Sequence, residues 1–154
     1  MKPSKQRISA TTTSLYDQDF FVWTERTAQM LRAGRFQDID AEHAAEEIEG
    51  IGKRDLKELN SRVQVLLMHL LKWLLQADKR SPSWQATIVT QRIEIEAILD
   101  QSPSLHARLE RELPANYLRA IKRAVPETGL SKQRFPAECP FTLAQILDDD
   151  FLPG

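Results

Sequence analysis

The sequence predicts an all-α protein, a helical bundle of about four longer helices plus a short C-terminal helix organised around a long central one. Three observations carry that expectation. In the stretch LKELNSRVQVLLMHLLKWLL, Leu56, Leu59, Val63, Leu66, Leu67, Leu70, Leu71 and Leu74 recur at three- and four-residue steps, the spacing of one helix face. Val65, Met68 and Trp73 fill its other faces, so its second half is apolar almost all round and belongs inside the protein. Helix-start signals recur along the chain, and no segment alternates with the period of a strand.

The elements follow in order. Asp17 stands where a cap would begin a first helix carrying Phe20, Phe21, Trp23, Ala28 and Leu31 and ending at Gly34. Its aromatics suit packing on the central helix, at roughly 1.5 to 3 kcal/mol per fully buried large side chain. Asp38 and Asp40 offer caps for the next helix, with Ile39 able to staple onto Ala44. Gly50 and Gly52 together cost roughly 2 kcal/mol in a helix interior. Ala41, Ala45, Ile48, Gly52, Leu56, Leu59 and Val63 nevertheless hold one phase through them. The reading is therefore one helix over about residues 40–76, with Gly52 inward where another backbone comes close.

Ser81 and Pro82 start a third helix with Trp84, Ile88, Ile95, Ile98 and Leu99 on its apolar side. Ser102 and Pro103 repeat the signal for a fourth, carrying Leu105, Leu109, Leu113, Tyr117, Ile121 and Val125. Pro114 inside that pattern predicts a kink or restart, since an interior proline costs about 3 kcal/mol. Residues 130–141 lack periodicity and read as an ordered connector anchored by Phe135 and Phe141; Thr142 and Gln145 then form a capping box for the last short helix.

Taken by domain, residues 1–14 read as a Ser/Thr-rich disordered tail without the apolar block of a secretory signal, and residues 15–154 as a single helical domain. The balance of 42% hydrophobic and 28% charged residues is that of a soluble globular protein. A formal net charge of -1 supplies no whole-molecule field to recruit nucleic acid or an anionic membrane. Cys139, the single cysteine, excludes an internal disulfide and a cysteine-built zinc site within one chain, and a reducing cytoplasm fits best. The run LLMHLLKWLL is interrupted by His69 and Lys72 and falls short of the roughly 20 residues of a bilayer span.

YDQDFFVWT, AEEIEGIGKRDLKEL, VLLMHLLKW, RSPSWQATI, ETGL and FPAECPFTLAQILDDDF, together and in this order, resemble the bacterial family domain of unknown function 29 (DUF 29). The resemblance runs from about Leu15 to Pro153. It implies a bacterial or cyanobacterial helical protein and carries over no catalytic residues, because none are established for the family. Pro114 departs from the family's pattern, in which the fourth helix reads as uninterrupted.

Several constellations could carry chemistry. Glu42, Glu46 and Glu49 follow one helical stripe, with Glu47 pointing elsewhere and His43 within a turn. The E-x-x-H pairs of di-iron bundles are absent, and ion pairing explains the stripe better: Glu49 with Lys53, the others with Arg80, Arg92 or Arg119. His69 lies in the most apolar part of the central helix beside Lys72, where it serves as a base or ligand, or more simply as a buried histidine bonded for structural reasons. Glu46, Glu49, His69 and Lys72 make up the candidate pocket, although a straight helix separates Glu47 from His69 by roughly 33 Å. Arg80, Ser83 and Trp84, with Lys79 and Ser81, form a candidate anion site at a helix start, against the plainer reading of a capped helix. Arg119, Lys122 and Arg123 form a second basic cluster.

With no phosphate loop, nucleophile elbow, HExxH or EF-hand pattern, no catalytic motif, metal site or cofactor is expected. Three tryptophans and a strongly apolar central helix favour a protein-protein interaction module, its partner another protein or a second copy. The alternative is an enzyme or ligand-binding bundle built on Glu46, Glu49 and His69. Nucleic-acid binding through Lys79, Arg80, Arg119, Lys122 and Arg123 is a minor third reading, and no membrane association is expected.

Overall fold

A computed structural model describes residues 14–154. Its described residues form six α-helices and no strand: α1 (Leu15–Gln18), α2 (Phe20–Arg32), α3 (Ala41–Leu75), α4 (Pro82–Gln101), α5 (Leu105–Thr128) and α6 (Leu143–Leu147). Short 3-10 turns occupy Phe36–Asp38, Ala77–Lys79 and Lys132–Arg134. The tail expected over residues 1–14 lies outside the described residues except for Ser14. By internal contacts the chain divides into two compact units, and the division falls within α3, after Ile51.

In the first unit the single opening helix expected from the sequence is two. Asp17 is not the cap: it sits inside α1, and its carboxylate accepts the Ser14 hydroxyl at 2.8 Å. Asp19 takes the extended conformation that a cap requires and accepts the Val22 amide at 3.0 Å, so it closes α1 and opens α2. Gly34 ends α2 with φ 70°, the left-handed turn in which Arg35 N–H reaches back to the Met30 carbonyl at 2.9 Å. Burial departs further from expectation. Only Trp23 and Thr27 are buried among the described residues of this unit, while Phe20, Phe21 and Leu31 are exposed.

Helix α3 runs unbroken through both glycines, as the phase of its apolar residues requires. The close backbone approach expected at Gly52 is absent: a Cβ there would meet nothing within 4 Å. Ile48, on the same stripe, is exposed, as is Ile51 beside it, and burial on α3 begins at Leu59.

The second unit holds the core. Leu59, Val63, Leu66, Leu67, Leu70 and Leu71 of α3 are fully buried together with Ile95 of α4, Leu109 and Ala120 of α5, and Ile146 of α6. Ser81 caps α4 through the Trp84 amide. Arg62 reaches Gln91 and Glu94 while Lys72 lies over the Trp84 ring, so α4 runs antiparallel to α3. Asn60 with Glu112, Gln64 with Asn116, Lys72 with Glu127 and Gln76 with Thr128 set α5 parallel to α3.

The restart expected at Pro114 does not occur: α5 is continuous through it. Pro114 and Glu110, whose carbonyl loses its donor, are both exposed, so water satisfies that oxygen while the apolar face stays intact. The second Ser-Pro signal is displaced as well: Ser102 closes α4, and α5 opens after Ser104. Phe135 and Phe141 anchor the connector as expected, Tyr117 Oη donates to the Pro136 carbonyl at 2.6 Å, and Thr142 and Gln145 form the capping box of α6.

Arg92 locks the end of the chain against α4. Buried to 3% exposure, it donates from Nε to the Ile146 carbonyl at 2.9 Å, from Nη1 to Asp149 at 3.3 Å and from Nη2 to Phe151 at 2.8 Å. Burial lowers its pKa, against the Asp149 and Asp148 carboxylates. Arg92→Met keeps the apolar stem but leaves these carbonyls without their donor, and is expected to cost about 2 to 4 kcal/mol. Hydrogen exchange should then rise selectively over residues 146–151, and unchanged protection there would refute the clamp.

Candidate functional site

The first unit gathers its polar and aromatic groups where α1, α2 and the start of α3 converge. Asp40 caps α3, one carboxylate oxygen accepting the His43 amide at 3.3 Å and the other meeting His43 Nδ1 at 2.5 Å. The Tyr16 ring stacks on the His43 ring with centroids 3.9 Å apart and planes 15° apart, and Tyr16 Oη donates to Glu47 Oε1 at 2.7 Å. Trp23 meets Tyr16 edge-on at 4.9 Å. Beside this cluster lies a cavity of about 590 Å³ lined by Trp23, Arg26, Thr27, Met30, Arg35 and Asp40, among others. The Thr27 hydroxyl is the one buried side-chain polar atom among the described residues without a hydrogen-bond partner.

The electrostatics follow from these contacts. The hydrogen bond to Asp40 raises the His43 pKa against a desolvation cost, helped by the Asp40, Glu46 and Asp17 charges. The same bond holds Asp40 below the usual carboxylate range. The bond to Glu47 pushes the Tyr16 phenol up to about 12, so it stays a donor. Asp40 thus orients and charges His43 as a carboxylate orients a general base, but no serine, threonine or cysteine among the described residues hydrogen-bonds the ring. The cluster fastens α1 to α3.

The residues singled out from the sequence are dispersed. Glu46 and Glu49 are exposed in the first unit, whereas His69 and Lys72 belong to the second, so neither unit assembles the four. His69 Nδ1–H donates to the Val65 carbonyl one turn back at 2.9 Å, and burial, with Lys72 adding to it, lowers its pKa. Lys72 is 6% exposed; its ammonium donates to Glu127 at 2.9 Å and lies 4.5 Å from the Trp84 ring centroid. Glu127 is held below the usual carboxylate range by that bond. Among the described residues no three His, Cys, Asp or Glu side chains are grouped to hold a metal ion.

Of the anion-site residues, Arg80 is engaged by the protein itself, from Nε to the Trp73 carbonyl at 2.9 Å and from Nη2 to the Gly154 carbonyl at 3.0 Å, with its guanidinium over the Trp73 ring. Ser83 is exposed and its carbonyl accepts from Thr87, while the Trp84 ring faces Lys72 rather than solvent anions. Arg80 and Arg92 are therefore not counterions to the α3 glutamates; both hold carbonyl oxygens. Sequence reading passed over Tyr16 and the amides Asn60, Gln64 and Asn116, and took Arg92 only as a counterion. Arg92 and Asn116 carried a usable signal, since each stands on a buried apolar stripe, Arg92 between Ile88 and Ile95 and Asn116 between Leu109 and Ala120.

Two predictions follow from the charges. His43, its folded pKa raised, stabilises the first unit fully below about pH 6.5, and that contribution fades as pH climbs through the raised value. His69, its folded pKa lowered, acts oppositely: its contribution is full above about pH 6.5 and is lost as pH falls. Amide protection of α1 and α2 should thus weaken between pH 6 and 8.5 and His43→Gln should flatten the profile; a wild-type profile already flat would refute it. Glu127→Ala strands the buried Lys72 ammonium and is expected to cost about 1 to 3 kcal/mol in chemical denaturation, against a few tenths for Glu110→Ala.

No helix among the described residues is long and apolar enough to cross a membrane. No curated protein and no solved structure matches the chain. One family matches over residues 15–152, from the first residue of α1 to beyond α6. The chain belongs to the family described as Domain of unknown function DUF29.

Proposed function

We infer that the protein works as an interaction module, with the first unit as its docking face and a basic amphipathic segment of another protein as its partner. One observation carries this reading. Among the described residues, six of the nine exposed large apolar side chains (Phe20, Phe21, Leu31, Phe36, Ile48 and Ile51) belong to the first unit, which buries only Trp23 and Thr27. Exposed apolar side chains gathered in so small a unit mark interaction surfaces more often than scattered ones do. Aromatic residues make effective anchors at such surfaces.

Charge identifies the kind of partner. Residues 14–51 contain nine Asp and Glu against three Arg, so the apolar side chains stand in an acidic field that the whole-chain balance conceals. Lysines or arginines flanking apolar anchors would complement it, steering encounter while the anchors supply affinity.

A synthetic amphipathic peptide of Leu and Lys, with a Leu and Glu peptide of equal length as control, provides a defined test by calorimetry. The basic peptide is expected to bind, with affinity falling as salt rises and dropping at least tenfold in Phe21→Ser/Ile48→Ser, whose altered side chains are exposed and outside the core. Equal binding of the acidic peptide, binding indifferent to the double substitution, or no binding of the basic peptide would overturn the assignment.

A further inference from the structure

A basic groove lies in the second unit, on the seam between α3 and α5. The two helices run parallel, and three amides hold them in register: Asn116 Nδ2 donates to Asn60 at 2.7 Å and Gln64 Nε2 donates to Asn116 at 2.9 Å. Beside this ladder opens a groove of about 420 Å³. Lys53 and Lys57 line it from α3 and Arg119 and Arg123 from α5, with Leu56, Asn60 and Gln64 between them. On each helix the cations stand four residues apart, a spacing at which like charges repel.

Glu112 is the only carboxylate lining the groove, and both its oxygens are occupied, Oε2 by the Asn60 amide at 2.7 Å and Oε1 by Arg108 Nε at 3.1 Å. Those two bonds, aided by the Arg108 and Arg119 charges, keep it ionised. Lys57, Arg119 and Arg123 make no side-chain hydrogen bond or ion pair with any described residue. Three cations without a side-chain partner, with Lys53 beside them, therefore line a groove whose one carboxylate is already engaged.

We propose that the groove between α3 and α5 binds a small molecule carrying two or more linked phosphate groups. Guanidinium forks on one wall match phosphate oxygens bidentately, and the lysines opposite act as point charges. Asn60 and Gln64, their amides engaged within the protein, form the polar floor between the walls, and the volume suits a compact ligand rather than a polymer. The site is independent of the docking face, since all its residues lie in the second unit.

Tripolyphosphate titrated into the full chain at low salt provides the probe, read by calorimetry and by thermal shift. Micromolar to submillimolar binding is expected, weakened at least tenfold by Arg119→Gln/Arg123→Gln and, separately, by Lys53→Gln/Lys57→Gln. All four side chains are exposed, so both variants should fold, and Lys122→Gln/Arg134→Gln should leave affinity unchanged. Absence of binding, or equal loss in the Lys122/Arg134 variant, would overturn the site. Citrate binding as tightly as tripolyphosphate would overturn the phosphate class, and an oligothymidylate binding more tightly still would reassign the groove to nucleic acid.

Discussion

The structure depends on an exchange of hydrogen bonds among three amides in the seam between α3 and α5. Gln64 and Asn116 are 6% and 1% exposed, and amides that far from water must be paired or carry a penalty of about 1 to 3 kcal/mol each. Asn116 meets that requirement by accepting from Gln64 and donating to Asn60, while Asn60 donates onward to Glu112. A shift of one residue along either helix would break the whole sequence of bonds. Leucines alone would tolerate such sliding, because apolar contact is not directional. The amides thus convert a greasy helix pair into one register, and that register sets the spacing of the cations along the neighbouring groove.

The same economy governs the arginines. Arg92 and Arg80 are placed where chain ends leave carbonyls without donors: the last turn of α6 for Arg92, and the last turn of α3 for Arg80. A guanidinium offers five donors in a fixed fork, so one buried side chain satisfies carbonyls that no backbone amide reaches. Residues 142–153 hold little helix of their own, and α6 has only five residues. Their order comes from Ile146 and Phe141 in the core and from these arginines, not from intrinsic helix propensity.

What was legible in the sequence was whatever depends on local periodicity. The continuity of α3 through Gly50 and Gly52, the Ser81 start of α4, the Thr142 and Gln145 box, and the Phe135 and Phe141 anchors all follow from spacing or from contacts within a few residues. Pro114 misled because the cost of an interior proline depends on which side of the helix it faces. Periodicity likewise placed Ile48 and Gly52 on the α3 stripe but could not say that the stripe runs out of cover before Leu59. Glu46 and His69 share a helix, yet one belongs to the first compact unit and the other to the second, a division that periodicity does not announce. Asp40 and His43 meet locally at the start of α3, but Tyr16 joins them only through the folding of α1 against α3, a contact encoded at no single sequence spacing.

The two units settle their polar and apolar groups in opposite ways, and that contrast bears on function. In the second unit nearly every buried donor is answered, down to Lys72 with Glu127 and Tyr117 with Pro136, and most large apolar side chains are buried, Val89, Ile93 and Leu118 excepted. In the first unit the polar contacts are good, with two caps, the Asp40 and His43 pair and the Tyr16 bond to Glu47, yet the phenylalanines and isoleucines are left in water. Hydrogen bonds of that kind define a shape without contributing much net stability. Burying Phe21 or Ile48 would contribute roughly 1.5 to 3 kcal/mol apiece, and the first unit forgoes it. Polar contacts therefore specify the geometry of the first unit, while its apolar side chains add little to its stability.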